Sequence, residues 1–161
     1  MIMGAKNDKT NVMRLLDKAE VEYKVHNFST EDIPTGSQAA DILGIEHGRM
    51  FKTLVTAAKS GAHYVYMIPV DCELDLKKAA SCAHEKSIEM LKSKDLLPLT
   101  GYIHGGCSPI GMKKLFPTFL HKTAAEFDTI VFSGGKVGHM VEVSPEGLAK
   151  LVKYTVADIT V

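Results

Sequence analysis

The chain has 161 residues, enough for one domain with a real hydrophobic core and no need of disulfide or metal staples. Basic and acidic residues number 19 each, so the formal net charge is zero; a broad cationic platform for nucleic-acid duplexes is excluded, though a local patch holding an RNA end is not. No stretch approaches the roughly eighteen apolar residues of a membrane span, and the start, Met1 to Lys9, lacks the apolar run of a secretory signal. Three cysteines (Cys72, Cys82 and Cys107) are an odd number in a chain that needs no disulfides, which points to a reducing cytoplasm.

In chain order, Asn11 to Ala19 sets Val12, Leu15, Leu16 and Ala19 at helical spacing. Val21 to Phe28 alternates, with Val21, Tyr23 and Val25 on one face of an expected strand. Thr35 to Leu43 predicts a capped helix with Ala39, Ala40 and Leu43 inward and Gly44 ending it. Met50 to Ala58 and His63 to Val70, separated by a turn at Gly61, predict a hairpin. Asp75 to Cys82 reads as a helix opened by an acidic cap, and Ser87 to Leu97 as another that Pro98 ends.

The stretch from Gly101 to Gly111 is dominated by loop formers. Strands are expected over Pro117 to His121, Thr129 to Phe132 and Met140 to Val143, with a glycine-dense turn at Ser133 to Gly138. Ser144-Pro145-Glu146 is a helix start, and Leu148, Leu151 and Val152 form that helix's buried face. Short strands mixed with short helices predict an α+β fold, here a mixed, mostly antiparallel and barrel-like sheet with short flanking helices. No linker divides the chain, so residues 1–161 are expected to form a single domain.

Three segments could carry chemistry. Gly105-Gly106-Cys107-Ser108-Pro109-Ile110-Gly111 has the glycines that let a backbone approach a ligand and offer N–H groups to a carbonyl or phosphate oxygen. By spacing alone it is equally a tight surface loop. It is neither a Walker loop nor a dinucleotide fingerprint. Cys107, with His104 three residues before it, has the residue types of a thiol nucleophile, but a small loop residue accounts for it better. Lys52 opens an apolar strand, where its charge must face solvent or a cleft. Ser133 to Gly138 reads first as a plain turn. Histidine and cysteine spacings lack a zinc pattern, and no Gly-x-Ser-x-Gly elbow occurs, so neither a metal nor an organic cofactor is expected.

Taken in order, Phe51-Lys52-Thr53-Leu54, Leu74-Asp75-Leu76-Lys77-Lys78, Thr100-Gly101-Tyr102, Gly105-Gly106 with Ser108-Pro109 and Gly111, Lys113-Lys114, and Ser133-Gly134-Gly135-Lys136 with Gly138 and Glu142 resemble the YbaK/EbsC family. Its members are free-standing relatives of the editing domain of bacterial prolyl-tRNA synthetases. The resemblance covers nearly the whole chain. It implies a hydrolase that deacylates misacylated tRNA(Pro), Cys-tRNA(Pro) first, with the 3′ end of aminoacyl-tRNA as ligand and prolyl-tRNA synthetase as a candidate partner. It also implies catalytic roles for Lys52 and Gly105, the latter where the aminoacyl carbonyl is held. Phe28, Thr53, Gly106, Ser108, Pro109, Gly111, Ser133, Gly134, Gly138 and Met140 would contact substrate by the same resemblance. Phe28 stands where some relatives have tyrosine, and Met140 where others have an acidic or amide residue; both make the pocket less polar. A non-catalytic module that binds aminoacyl-tRNA or a synthetase is the alternative of another class.

Overall fold

The computed structural model describes residues 9–29 and 34–161. Of the start read for a leader, all but Lys9 lies outside the described residues. Helix α1 (Asn11–Lys18) begins where the Thr10 hydroxyl accepts the Met13 N–H at 3.2 Å, and it buries Val12, Met13 and Leu16. Strand β1 (Lys24–Asn27) follows at a sheet edge. Val21 is buried as expected, but Val25 is 42% exposed, because an edge strand has a face that nothing packs against.

Helix α2 (Gly36–Leu43) carries a full capping box, in which Thr35 and Gln38 bond each other's backbone N–H groups. Gly44 ends it at φ +68°, a left-handed conformation that glycine takes at no cost. After a 3₁₀ turn at His47–Arg49, β2 (Phe51–Ala58) and β3 (His63–Pro69) form the expected antiparallel hairpin. Helix α3 (Leu76–Cys82) is capped by Asp75, whose carboxylate accepts two N–H bonds at 3.0 Å.

The helix expected over Ser87 to Leu97 is corrected. Ile88–Met90 is a short strand, β4, on the edge of β2, and helix α4 (Ser93–Thr100) starts only afterwards. Pro98 lies inside α4 rather than ending it; the helix runs two residues further to Thr100, with Gly101 as its cap at φ +88°. So short a stretch gains more from ladder bonds to β2 than from an isolated helical turn.

Strands β5 (Thr118–His121), β6 (Ile130–Lys136) and β7 (His139–Val143) fall near their predicted places. A 3₁₀ turn at Lys122–Glu126 separates the first two of these. Strand β6 runs further than expected, through Ser133-Gly134-Gly135-Lys136, with a register shift between Ser133 and Lys136. The turn proper is therefore Val137-Gly138. Helix α5 (Pro145–Ala149) is capped by Ser144. Strand β8 (Tyr154–Ala157) has no counterpart in the sequence reading; it pairs parallel with β5.

The α+β class holds, but the sheet is not a closed barrel. Two open sheets form, β1-β7-β6 and β4-β2-β3-β5-β8, and a parallel bridge joins Met50 to Val131 between them. Four of the strand pairings are antiparallel, and β3–β5 and β5–β8 are parallel. One core spans both sheets, with Phe51, Met67 and Leu120 meeting Ile130, Phe132, Val141 and Val143 under α1 and Leu148. Since β2 is shared by this core and by the joint between the sheets, its first half is held rigidly.

Beside that joint sits an ion network. Glu142 of β7, only 9% exposed, accepts from Thr129 at 2.6 Å and Arg49 at 3.1 Å, with His26 of β1 at 2.8 Å. Burial alone would raise the Glu142 carboxyl, but bonds from Thr129 and His26 and the charge of Arg49 outweigh it and bring it down to about 2. The network therefore contributes stability above the usual carboxylate range and loses it as pH falls from about 4.5 toward 2. Urea unfolding should show Glu142→Gln less stable at pH 7 by roughly 2–3 kcal/mol. The gap between the two proteins should narrow as pH falls through that window; a pH-independent gap would contradict the assignment.

Candidate functional site

A cavity of ≈ 520 Å³ opens where the first half of β2 meets α2, the loop at residues 104–107, the β6–β7 turn and the start of α4. Lys52 and Thr53 line it from β2, Gly105 and Cys107 from the loop, and Phe28, Ser133, Val137 and Met140 from the small sheet and its approach. Thr35, Gly36 and Ala39 close it from α2. No carboxylate is among the described residues lining it, and Lys52 is its one lysine or arginine. A free ammonium in a mostly apolar cavity is a binding point for an anion or a polarised oxygen.

Strand register gives the cavity a second kind of donor. The Val65 N–H donates to the Pro117 carbonyl at 2.9 Å, toward β5, so Val65 does not bond its β2 partner Val55. By the alternation of an antiparallel ladder, Thr53 and Val55 turn their main-chain groups away from β3. Leu91 N–H takes the Val55 carbonyl at 3.1 Å, and β4 pairs only with Thr56 to Ala58. The Thr53 backbone is thus left at an open strand edge facing the cavity. Its side-chain hydroxyl is buried with no partner among the described residues. A buried unpaired hydroxyl costs on the order of 1–3 kcal/mol.

The glycine loop divides into a working end and an anchored end. Gly105, φ +87°, is exposed at the cavity, where a left-handed backbone presents its amides to the open side. From Gly106 to Ile110 the loop is buried. A Cβ at Gly106 would come within 3.2 Å of the Val137 N, so glycine there permits contact with the β6–β7 turn. Ser108 accepts the Ile110 N–H at 3.3 Å, and the Tyr102 hydroxyl donates to the Ile110 carbonyl.

Six of the residues expected in the site line the cavity: Lys52, Gly105, Phe28, Thr53, Ser133 and Met140. The other six do not. Gly106, Ser108, Pro109 and Gly111 anchor the loop, Gly134 lies in β6 with no room for a side chain beside the His139 carbonyl, and Gly138 accepts the Phe28 N–H at 3.0 Å. Sequence reading missed Thr35, Gly36, Met50, Leu54, Val70 and Leu91, all in the cavity wall. The signal for Thr35 was present, since a helix start leaves amides to be capped; the apolar residues read only as core.

The amino-acyl editing signature reaches most of this architecture. The aminoacyl-tRNA editing domain model matches residues 30–151. The chain belongs to that family. It is 47% identical over 153 residues, 94% of this chain and 93% of the relative, to an Enterococcus faecalis protein named "Putative Cys-tRNA(Pro)/Cys-tRNA(Cys) deacylase EbsC". A proline–tRNA ligase of Pelobacter propionicus is 27% identical over 95 residues, which are 59% of this chain and 16% of the ligase. Among solved structures, one described as a "putative trans-editing enzyme for prolyl tRNA synthetase" matches with TM-score 0.78 at 25% identity, covering 86% of this chain and 87% of that one.

Within this editing domain the loop cysteine is chemically quiet. Burial pushes the Cys107 thiol up to about 12, and Val55 and Val65 pack around it. In native protein at pH 8, iodoacetamide should modify Cys107 at least about a hundredfold more slowly than in urea-unfolded chain, read by mass spectrometry. Equal rates would show a reactive thiol.

Proposed function

We propose that the chain is a trans-editing hydrolase that deacylates misacylated tRNA(Pro), with Cys-tRNA(Pro) as first substrate, and that residues 1–161 act as one editing unit. The observation that carries this reading is the placement of Lys52, the open Thr53 edge and the Gly105 end of the loop around one cavity, with no carboxylate among the described lining residues. Such a site suits a reaction driven by positioning and electrostatic stabilisation.

The 3′-terminal adenosine enters beside Gly105, whose loop amides polarise the ester carbonyl. Lys52 holds the terminal ribose or a phosphate by charge-assisted hydrogen bonds. Water adds to the carbonyl carbon, the bond to the ribose oxygen breaks, and a proton from the water ends on that oxygen. The substrate's own thiol or hydroxyl assists the proton transfer. Phe28, Ala39, Met50, Val70 and Met140 give the acyl end an apolar wall with two polarisable thioethers, compatible with a small thiol or methyl side chain.

The cytoplasm, where aminoacyl-tRNA is made, is the proposed compartment; all three cysteines are free, and no described helix is long and apolar enough to cross a membrane. Partnership with prolyl-tRNA synthetase would supply tRNA affinity that a neutral chain lacks.

Purified protein should deacylate Cys-tRNA(Pro), and less readily Ala-tRNA(Pro), while sparing Pro-tRNA(Pro). Lys52→Ala should lower kcat/KM about 10²–10³-fold, and Cys107→Ser should stay within about threefold of wild type, since a protonated buried thiol contributes no nucleophile. Binding without turnover on any misacylated tRNA would instead establish a non-catalytic binding module.

A further inference from the structure

Helix α2 supplies one side of the cavity through Thr35, Gly36 and Ala39, yet little apolar surface holds it there. Its buried residues are Ala39 and Ala40, each with a single methyl to bury, while Ile42 is 61% exposed. At the helix start the backbone rests on Val70, which a Cβ at Gly36 would meet at 2.7 Å. The ties further along are polar.

Four side chains from three segments form a continuous hydrogen-bonded chain on one face of α2. Ser37 and Asp41 stand four residues apart, neighbours on that face. Ser37 donates to one oxygen of Asp71, in the turn after β3. The other Asp71 oxygen lies 2.6 Å from His47 Nδ1 in the 3₁₀ turn, and His47 Nε2 lies 2.6 Å from Asp41. An imidazole bonded to carboxylate at both nitrogens donates from both, so it is the imidazolium. Helix α2 is thus tied to Asp71 twice, directly through Ser37 and one turn later through Asp41 and His47.

We propose that His47 is a positioning residue for acyl selection: as an imidazolium bridging Asp41 and Asp71, it clamps α2 to the end of β3 and so holds the Ala39 wall of the cavity in place. The claim rests on the deacylase reading above. Loss of one proton cuts the bridge, because a neutral imidazole has one N–H and turns a lone pair toward the second carboxylate. The charged groups around His47 are Asp41 of α2, Asp71 after β3, and Glu46 and Arg49 beside it in sequence; Arg49 bonds Glu142 instead at 3.1 Å. Bonds from Asp41 and then Asp71 keep the ring protonated above its usual 6.5, so the clamp is complete below that value and is lost as pH rises through a higher one. All three partners are accessible to solvent, and each pair alone contributes modestly. Their leverage comes from how little else anchors the helix.

Amide exchange over residues 36–44, read by mass spectrometry and corrected for intrinsic rates, follows the clamp independently of activity. Wild-type protection there should fall about threefold or more between about pH 6.5 and 9. It should be low throughout in His47→Gln and high throughout in His47→Arg, whose guanidinium donates to both carboxylates across that range. At about pH 6.5, His47→Gln should lower the ratio of kcat/KM for Cys-tRNA(Pro) over Pro-tRNA(Pro) about fivefold or more, and His47→Arg should restore it. Protection that is flat with pH in wild type and unchanged in His47→Gln would overturn the proposal. Lowered protection with an unchanged ratio would overturn it too, leaving His47 a staple without a part in selection. No turnover on any misacylated tRNA would instead overturn the deacylase reading, and the selection role with it.

Discussion

Where the two sheets meet, Met50 bridges Val131 and Arg49 reaches Glu142 across from the 3₁₀ turn. That joint sets the position of the first half of β2, and through it the place of Lys52 and Thr53. Glu142 is buried with His26, Arg49 and Thr129 around it, so its charge is compensated where an unpaired carboxylate would cost several kcal/mol. The small sheet is thereby fixed against the large one, and the cavity is the space left beside the seam.

The cavity's polarity follows from that arrangement. Strand β4 is too short to cover β2 beyond Thr56, so part of a strand edge remains open inside the protein rather than at its surface. Edges of this kind usually attract another strand; here α2, the 104–107 loop and the β6–β7 turn enclose it and admit only a ligand. Glycine at 106 and 134 permits the close backbone contacts of that enclosure, since a side chain would strike Val137 N or the His139 carbonyl. Apolar side chains supply much of the remaining wall, and Lys52 is the lysine or arginine among the described lining residues.

The catalytic reading follows one physical logic. In a site with few charges, the placement of each one matters more than their number, because nothing nearby offsets an error. Asp71, His47 and Asp41 bond one another outside the described wall. Cys107 shows the converse: it lies in the wall, but packing among valines keeps its thiol protonated.

Local signals determined a good deal. Thr35, Asp75 and Ser144 announced helix starts because unpaired amides need a cap, and Gly44 announced a stop because the left-handed conformation favours glycine. The β2–β3 hairpin and the ordered family residues, Lys52 and Gly105 among them, were legible for similar reasons of pattern. What tertiary structure alone decided was which competing pattern prevailed and which side of each loop became a wall. Ile88–Met90 became a strand because the β2 edge was within reach, and β8 formed because β5 offered a parallel partner. The loop from Gly105 to Gly111 split between ligand face and anchor because Tyr102 and the β6–β7 turn grip only its later part. No spacing in the chain could join His47 to Asp71, since contacts between distant segments exist only once the sheets have packed.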